Sequence, residues 1–173
     1  MINRILKAQR AIDESDVLKA LNKFTPVVVS TIFVQLDLPG SDIDIICCHQ
    51  KKQDLKQQFE KTFSRYDDFV FSERENYCIG RFYFDGFPFE VYSSNQLVRL
   101  QLGYRHFKIM ETLSQYGGEP FRSKVRLLKT KGYKTEPAIC EVLSLTGDPY
   151  ISILQVEQWS SQNFKHFVEN LVL

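Results

Sequence analysis

Apolar and polar positions alternate along parts of the first half of this chain and recur at helical spacing along most of the rest. The clearest alternation is Ser41-Asp42-Ile43-Asp44-Ile45-Ile46. A strand sends successive side chains to opposite faces, so Ile43 and Ile45 point to one side and Asp42 and Asp44 to the other. Val27-Val28-Val29 upstream is a β-branched run of the kind that forms a buried strand. Tyr77–Phe84 and Phe87–Tyr92 read as two more strands, separated by Asp85-Gly86, the dipeptide of a tight hairpin. On the second arm Phe87, Phe89 and Val91 share one face, and Pro88, Glu90 and Tyr92 the other. Residues 67–73 predict a further strand ahead of the hairpin.

Helical spacing predicts the remainder. The first 24 residues read as helical, with Ser15 capping a helix that carries Val17, Leu18 and Leu21. Lys51 to Tyr66 is a polar helix whose narrow stripe of Leu55, Phe59 and Phe63 covers one face of a sheet. Its lysines and glutamines read as a solvated face. A long helix is expected from Ser94 or Asn95 through Tyr116, closed by Gly117-Gly118. A short basic helix, Phe121 to Lys131, should end at Gly132. Thr135 reads as the cap of a helix running to Thr146, Asp148-Pro149 opens another, and the last spans about residues 160–172. Strands first and helices afterwards predict an α+β fold: a small mixed sheet with helices on one face and a helical C-terminal half. We expect residues 1–93 to form the α/β core and residues 94–173 a helical part packed on it, in a single compact unit.

Charge and cysteine content narrow the partners. The formal net charge of +1 gives no electrostatic case for non-specific nucleic-acid binding. No apolar run approaches the ~20 residues that span a bilayer. The N-terminal stretch is charged throughout and has no signal-peptide apolar core, so a cytoplasmic protein with no membrane partner is expected. Cys47, Cys48, Cys78 and Cys140 lack a Cys-x-x-Cys spacing, which argues against zinc, and reduced, mostly buried thiols are expected.

The candidate chemistry lies at the start of the alternating strand. Two carboxylates as close as Asp42 and Asp44 repel each other, and a divalent cation such as Mg²⁺ relieves this while keeping positions open for substrate phosphates. Ser30-Thr31, at the end of the valine run, suits phosphate oxygens. The ten residues between Thr31 and Asp42 allow a turn and a return to the same sheet end. Glu90 is a lone acid opposite an apolar stripe, and a third carboxylate is what a two-metal phosphoryl-transfer site requires. The plainer alternative is that the aspartates only shape a solvated turn. Farther along, Arg105 is the best single candidate for a phosphate contact, against a carboxylate-paired arginine. His106 is a general base or a hydrogen-bonded core residue. Lys129, Lys131 and Lys134 neutralise a polyphosphate or complement a helix C-terminus. Arg81 lies in the hairpin near the proposed site.

These residues resemble the nucleotidyltransferase fold, the DNA polymerase β-like superfamily. Its pattern is hydrophobic-Gly-Ser, a spacer, Asp-hydrophobic-Asp-hydrophobic, and a later strand with hydrophobic-acid-hydrophobic. The counterparts here are Val29-Ser30-Thr31, Asp42-Ile43-Asp44-Ile45 and Phe89-Glu90-Val91. From about residue 20 to residue 155 the chain resembles, more closely, a small uncharacterised bacterial family of that superfamily. Its marks are the Leu-Pro-Gly-Ser-Asp core at Leu38 to Asp42, Tyr104-Arg105-His106, Lys134-Thr135-Glu136-Pro137 and Gly147-Asp148-Pro149-Tyr150. The resemblance implies metal-dependent transfer of a nucleoside monophosphate from a nucleoside triphosphate to a protein, RNA or small-molecule acceptor. It implies two Mg²⁺ ions held by Asp42, Asp44 and Glu90, with Glu90 drawing the acceptor proton, and phosphate oxygens on Ser30, Thr31 and Ser41. Ser30 stands where the superfamily has glycine, which normally lets the backbone approach the phosphates. That departure favours the alternative, a non-catalytic binding or regulatory module on the same fold.

Overall fold

The structure is a computed structural model that describes residues 2–171. The chain divides into two compact units. One is made by the chain up to Phe33 together with Pro39–Tyr104, the other by Val34–Leu38 and the chain from Arg105 onward.

The first unit holds β1 (Val27–Val28), β2 (Ile43–Cys48), β3 (Asp67–Glu73), β4 (Tyr77–Phe84) and β5 (Phe87–Ser94). They form one mixed sheet in the order β1-β2-β5-β4-β3. β2 and β5 run parallel, and the other neighbours are antiparallel. Three helices, α1 (Ile2–Glu14), α2 (Val17–Ala20) and α3 (Lys52–Phe63), bury their apolar sides against one face of it. Ile43, Ile45, Phe82, Phe89 and Val91 supply that face, as the alternation predicts. The expected stripe of α3 is in place, with Leu55, Phe59 and Phe63 all buried. The Phe59 ring lies with its centroid 4.7–6.0 Å from those of Phe63, Phe69, Phe71 and Phe82. It reaches the sheet over Gly80, where a Cβ would sit 2.3 Å from its ring. At the hairpin tip Asp85 (φ 46°) and Gly86 (φ 84°) both adopt the left-handed conformation that a two-residue turn demands.

The second unit is helical: most of α4 (Leu102–Thr130), then α5 (Thr135–Val142), α6 (Pro149–Ser152) and α7 (Ser161–Leu171). Its core gathers Leu113, Phe121, Val125, Ile139 and Ile153 with Val34 and Leu36. α4 breaks at Gly118 (φ 56°, ψ −148°) and restarts at once with Pro120 in the new first turn, where a missing N–H is harmless.

Several boundaries differ from the sequence expectation. The Ser15 hydroxyl donates backward to the Ile12 carbonyl (3.1 Å), so it closes α1 and does not cap α2. Ser94 opens no helix, because sheet pairing with Cys48 and Tyr77 holds it in β5, and α4 starts only at Leu102. Lys134, not Thr135, is the cap of α5, and that helix ends at Val142 because Ser144 turns left-handed (φ 54°). Asp148 does cap α6, its Oδ1 accepting from the Tyr150 N–H at 2.9 Å. The last residue of the expected final helix, Val172, lies outside the described residues.

Candidate functional site

The valine run, the loop after it and the entry to β2 are tied together by the backbone. The Val29 N–H donates to the Asp44 carbonyl at 2.8 Å. Ser30 is fully buried, and its hydroxyl donates to the Asp42 carbonyl at 2.7 Å while accepting from the Ile32 N–H at 3.4 Å. Ser30 thus shapes the loop, and its hydroxyl is taken up by the protein itself. Thr31 follows, half-buried in the turn. Ser41 is half-buried and its carbonyl accepts from Arg4 Nη2 at 3.2 Å. Asp42 is exposed just before β2 begins.

The sheet register brings the acids together across strands. Asp44 on β2 lies directly opposite Glu90 on β5, and Glu90 lies directly opposite Arg81 on β4. Side chains in such positions are neighbours on one face. Glu90 Oε2 accepts from Arg81 Nε at 2.8 Å and lies 2.6 Å from Arg81 Nη2. The row therefore reads acid, acid, base, with the cation at its outer end. Among the described residues no three His, Cys, Asp or Glu side chains are gathered as a bound metal ion would need. The donor chemistry of Asp42 and Asp44 fits Mg²⁺, which prefers carboxylate oxygens. Glu90 joins them only by turning away from Arg81. A two-residue hairpin turn fixes which residues of its arms are opposed, so the Asp85-Gly86 tip already assigns Arg81 to Glu90.

The other candidates sit in the second unit and are engaged there. Arg105 forks onto Glu157, with Nε–Oε1 at 2.9 Å and Nη2–Oε2 at 2.7 Å, and holds the Glu157 carboxyl below its usual range. His106 is buried, with Nε2 donating to the Tyr150 carbonyl at 2.9 Å and Nδ1 lying 3.2 Å from Glu136 Oε1. Burial works to raise the Glu136 carboxyl, but the hydrogen bonds and charge it receives from His106 and its own backbone N–H outweigh that and hold it low. This junction draws in the Tyr-Arg-His, Lys-Thr-Glu-Pro and Gly-Asp-Pro-Tyr segments, one residue from each, and explains as structure what the sequence offers as separate marks. Lys129 Nζ donates to the Leu36 carbonyl at 2.6 Å, while Lys131 and Lys134 are exposed. All four cysteines are free, and burial pushes the Cys47 thiol up to about 12 and raises those of Cys78 and Cys140.

The five-stranded mixed sheet with its helices is a nucleotidyltransferase-like fold, as solved structures show. The Cid1 poly(U) polymerase bound to MgATP superposes with a TM-score of 0.60 at 12% identity, over 87% of this chain and 48% of that one. A cytoplasmic RNA terminal U-transferase gives 0.55 at 15%, over 84% and 44%. The polymerase core of TRAMP, an RNA surveillance complex, gives 0.53 at 16%, over 95% and 57%. The chain spans about half the length of these structures. It belongs to the family described as Domain of unknown function (DUF4269), whose pattern matches residues 10–156. No curated protein matches it. Among the described residues no helix is long and apolar enough to cross a membrane.

Proposed function

We propose that this chain is a Mg²⁺-dependent nucleotidyltransferase that moves a nucleoside monophosphate from a nucleoside triphosphate to an acceptor. The observation that carries the reading is the register: on a nucleotidyltransferase fold, Asp44 and Glu90 stand abreast with Asp42 at the strand entry. Fold relatives that hold MgATP and MgGTP support it. Asp42, Asp44 and Glu90 would hold Mg²⁺, which offsets phosphate charge and acidifies a bound hydroxyl. Thr31 and Ser41 offer hydroxyls to phosphate oxygens, and Ser30 keeps the loop in shape. Arg105 is engaged by Glu157 within the second unit. In the transfer, the acceptor oxygen bonds to the α-phosphorus, the bond to the β-phosphate oxygen breaks, and pyrophosphate leaves. Glu90 takes the acceptor proton after turning from Arg81. The acceptor is a protein, an RNA or a small molecule, and the cytoplasm supplies the donor.

The test is a thermal-shift screen against the four nucleoside triphosphates, each with and without Mg²⁺. Ligands that bind only the folded state raise the melting temperature. We expect a shift that needs both metal and nucleotide, and its loss in Asp44→Ala. Unchanged affinity in that variant overturns the site. The second reading, a non-catalytic binding module, is favoured by the Arg81–Glu90 ion pair and by the Ser30 side chain at the glycine position. Metal-dependent nucleotide binding without pyrophosphate release over hours, with acceptors of all three classes supplied, selects it.

A further inference from the structure

A cleft of about 620 Å³ opens in the first unit at the far end of β2 from the acids. Cys48 lines it, four residues beyond Asp44, which at strand rise is about 13 Å away. Its volume falls in the range of about 300–1,000 Å³ typical of small-molecule sites. Leu97, about half exposed, gives it an apolar surface, with the nearly buried Phe24 and Val98 beneath. The wall is α3: Lys51 and Asp54 at the helix start, Gln57 in the middle and Lys61 near its end, and Lys23 also lines the cleft.

The charge of this cleft sets it apart. The side chains of Lys23, Lys51 and Lys61 have no hydrogen bond or ion pair among the described residues, and Asp54 is the one acid in the lining. Neighbouring lysines of the same helix are engaged: Lys56 pairs with Glu73 at 3.4 Å, and Lys52 donates to the carbonyls of Arg74 and Glu75. A solvated helix face would explain Lys51 or Lys61 singly. It does not explain a cleft with an apolar surface and cations at both ends. Ten residues of helix separate Lys51 from Lys61, about 15 Å along the axis, and lysine arms shorten the gap between their ammonium groups. Such a cleft fits a ligand with two separate anionic groups and a flat, partly polar body beside them. Side-chain amides such as those of Gln50 and Gln57 both donate and accept, which suits the edge of a heterocycle.

We propose that this cleft binds a doubly phosphorylated nucleoside, one phosphate toward Lys51 and the other toward Lys61, with the ring on Leu97. No metal is needed, because the lysines supply the positive charge. The site is separate from the acid row and does not rest on the transferase reading.

The experiment is a titration of the whole protein with adenosine 3′,5′-bisphosphate in EDTA, with adenosine monophosphate and pyrophosphate as comparators. Saturable binding is expected, tighter for the bisphosphate than for either comparator. In Lys51→Gln/Lys61→Gln it should weaken about tenfold, since exposed charge contacts are individually modest. It should be unchanged in Asp44→Asn. A second readout uses the unaltered protein: bound bisphosphate should slow alkylation of Cys48, the half-buried thiol that lines the cleft. Absence of binding, equal affinity in the lysine variant, or pyrophosphate binding as tightly as the bisphosphate overturns the proposal. So does loss of binding in Asp44→Asn, which would move the ligand to the acid row.

Discussion

At the scale of single residues, Glu90 is shared between Asp44 on one side and Arg81 on the other. Replacing Arg81 by alanine leaves two carboxylates abreast with one counter-charge fewer. Like charges opposed across strands cost up to about 1 kcal/mol, and an exposed ion pair contributes a similar amount. We expect Arg81→Ala to lower the urea midpoint slightly without Mg²⁺, and Mg²⁺ to raise it more in the variant than in the unaltered protein. If Mg²⁺ raises neither, the row does not take the ion. Glu136 gives a pH prediction. Its folded carboxyl is held below the ordinary range. The stability it contributes is therefore present above the unfolded glutamate pKa and is lost as pH falls through the lower folded value. Glu136→Gln should flatten the acid limb of stability measured from about pH 6 down to about pH 3. An unaltered limb in the variant would assign acid sensitivity to other carboxylates. The shared face of Asp44 and Glu90 was legible because alternation alone assigns strand faces, whereas Asp42 lies just ahead of β2. The partner of His106 was not, since Glu136 is thirty residues away and joined by packing, not by periodicity.

At the scale of elements, the β3–β5 meander was read almost to the residue. Its strands carry strong alternation, and Asp85-Gly86 admits few conformations other than a tight turn. Helix ends were read less well, for a physical reason in each case. Ser94 has good capping chemistry, but two neighbouring strands compete for its backbone and win. Gly117-Gly118, by contrast, is the stop it reads as: the backbone leaves the helical conformation at Gly118, and Pro120 sits in the first turn of the next helix. α3 packs closely on β4 at Gly80. A Cβ at Gly80 would lie 2.3–2.7 Å from three atoms of the Phe59 ring, which is itself walled by four other aromatic rings. The ring has nowhere to go, so Gly80→Ala should cost about 1–3 kcal/mol or more, in line with overpacked cores. Chemical denaturation measures this directly. Gly80→Ala/Phe59→Leu should recover part of the loss, and a double variant no more stable than the single one would argue against the ring as the cause.

At the scale of the whole molecule, the two units are not consecutive pieces of chain. Val34–Leu38 leaves the first unit, joins the second, and the chain then returns. Composition gave no sign of this, because five residues between a strand and a turn carry no period of their own. The consequence is energetic. Val34 and Leu36 are buried in the helical core at 7% and 0% exposure. Burying such side chains stabilises by about 1.5–3 kcal/mol each. Arg126 Nη1 donates to the Gln35 carbonyl and Lys129 Nζ to the Leu36 carbonyl, both at 2.6 Å. A fragment of residues 105–173 loses all of these at once. That loss is a large share of the roughly 5–15 kcal/mol that a domain has in total. We therefore expect the isolated fragment to lack cooperative thermal unfolding and dispersed amide resonances. Adding a peptide of residues 30–40 should restore both, because the peptide brings back the two apolar side chains and the two carbonyl acceptors. A fragment that folds cooperatively by itself would show that Val34–Leu38 is a passenger of the helical unit, not a part of its core.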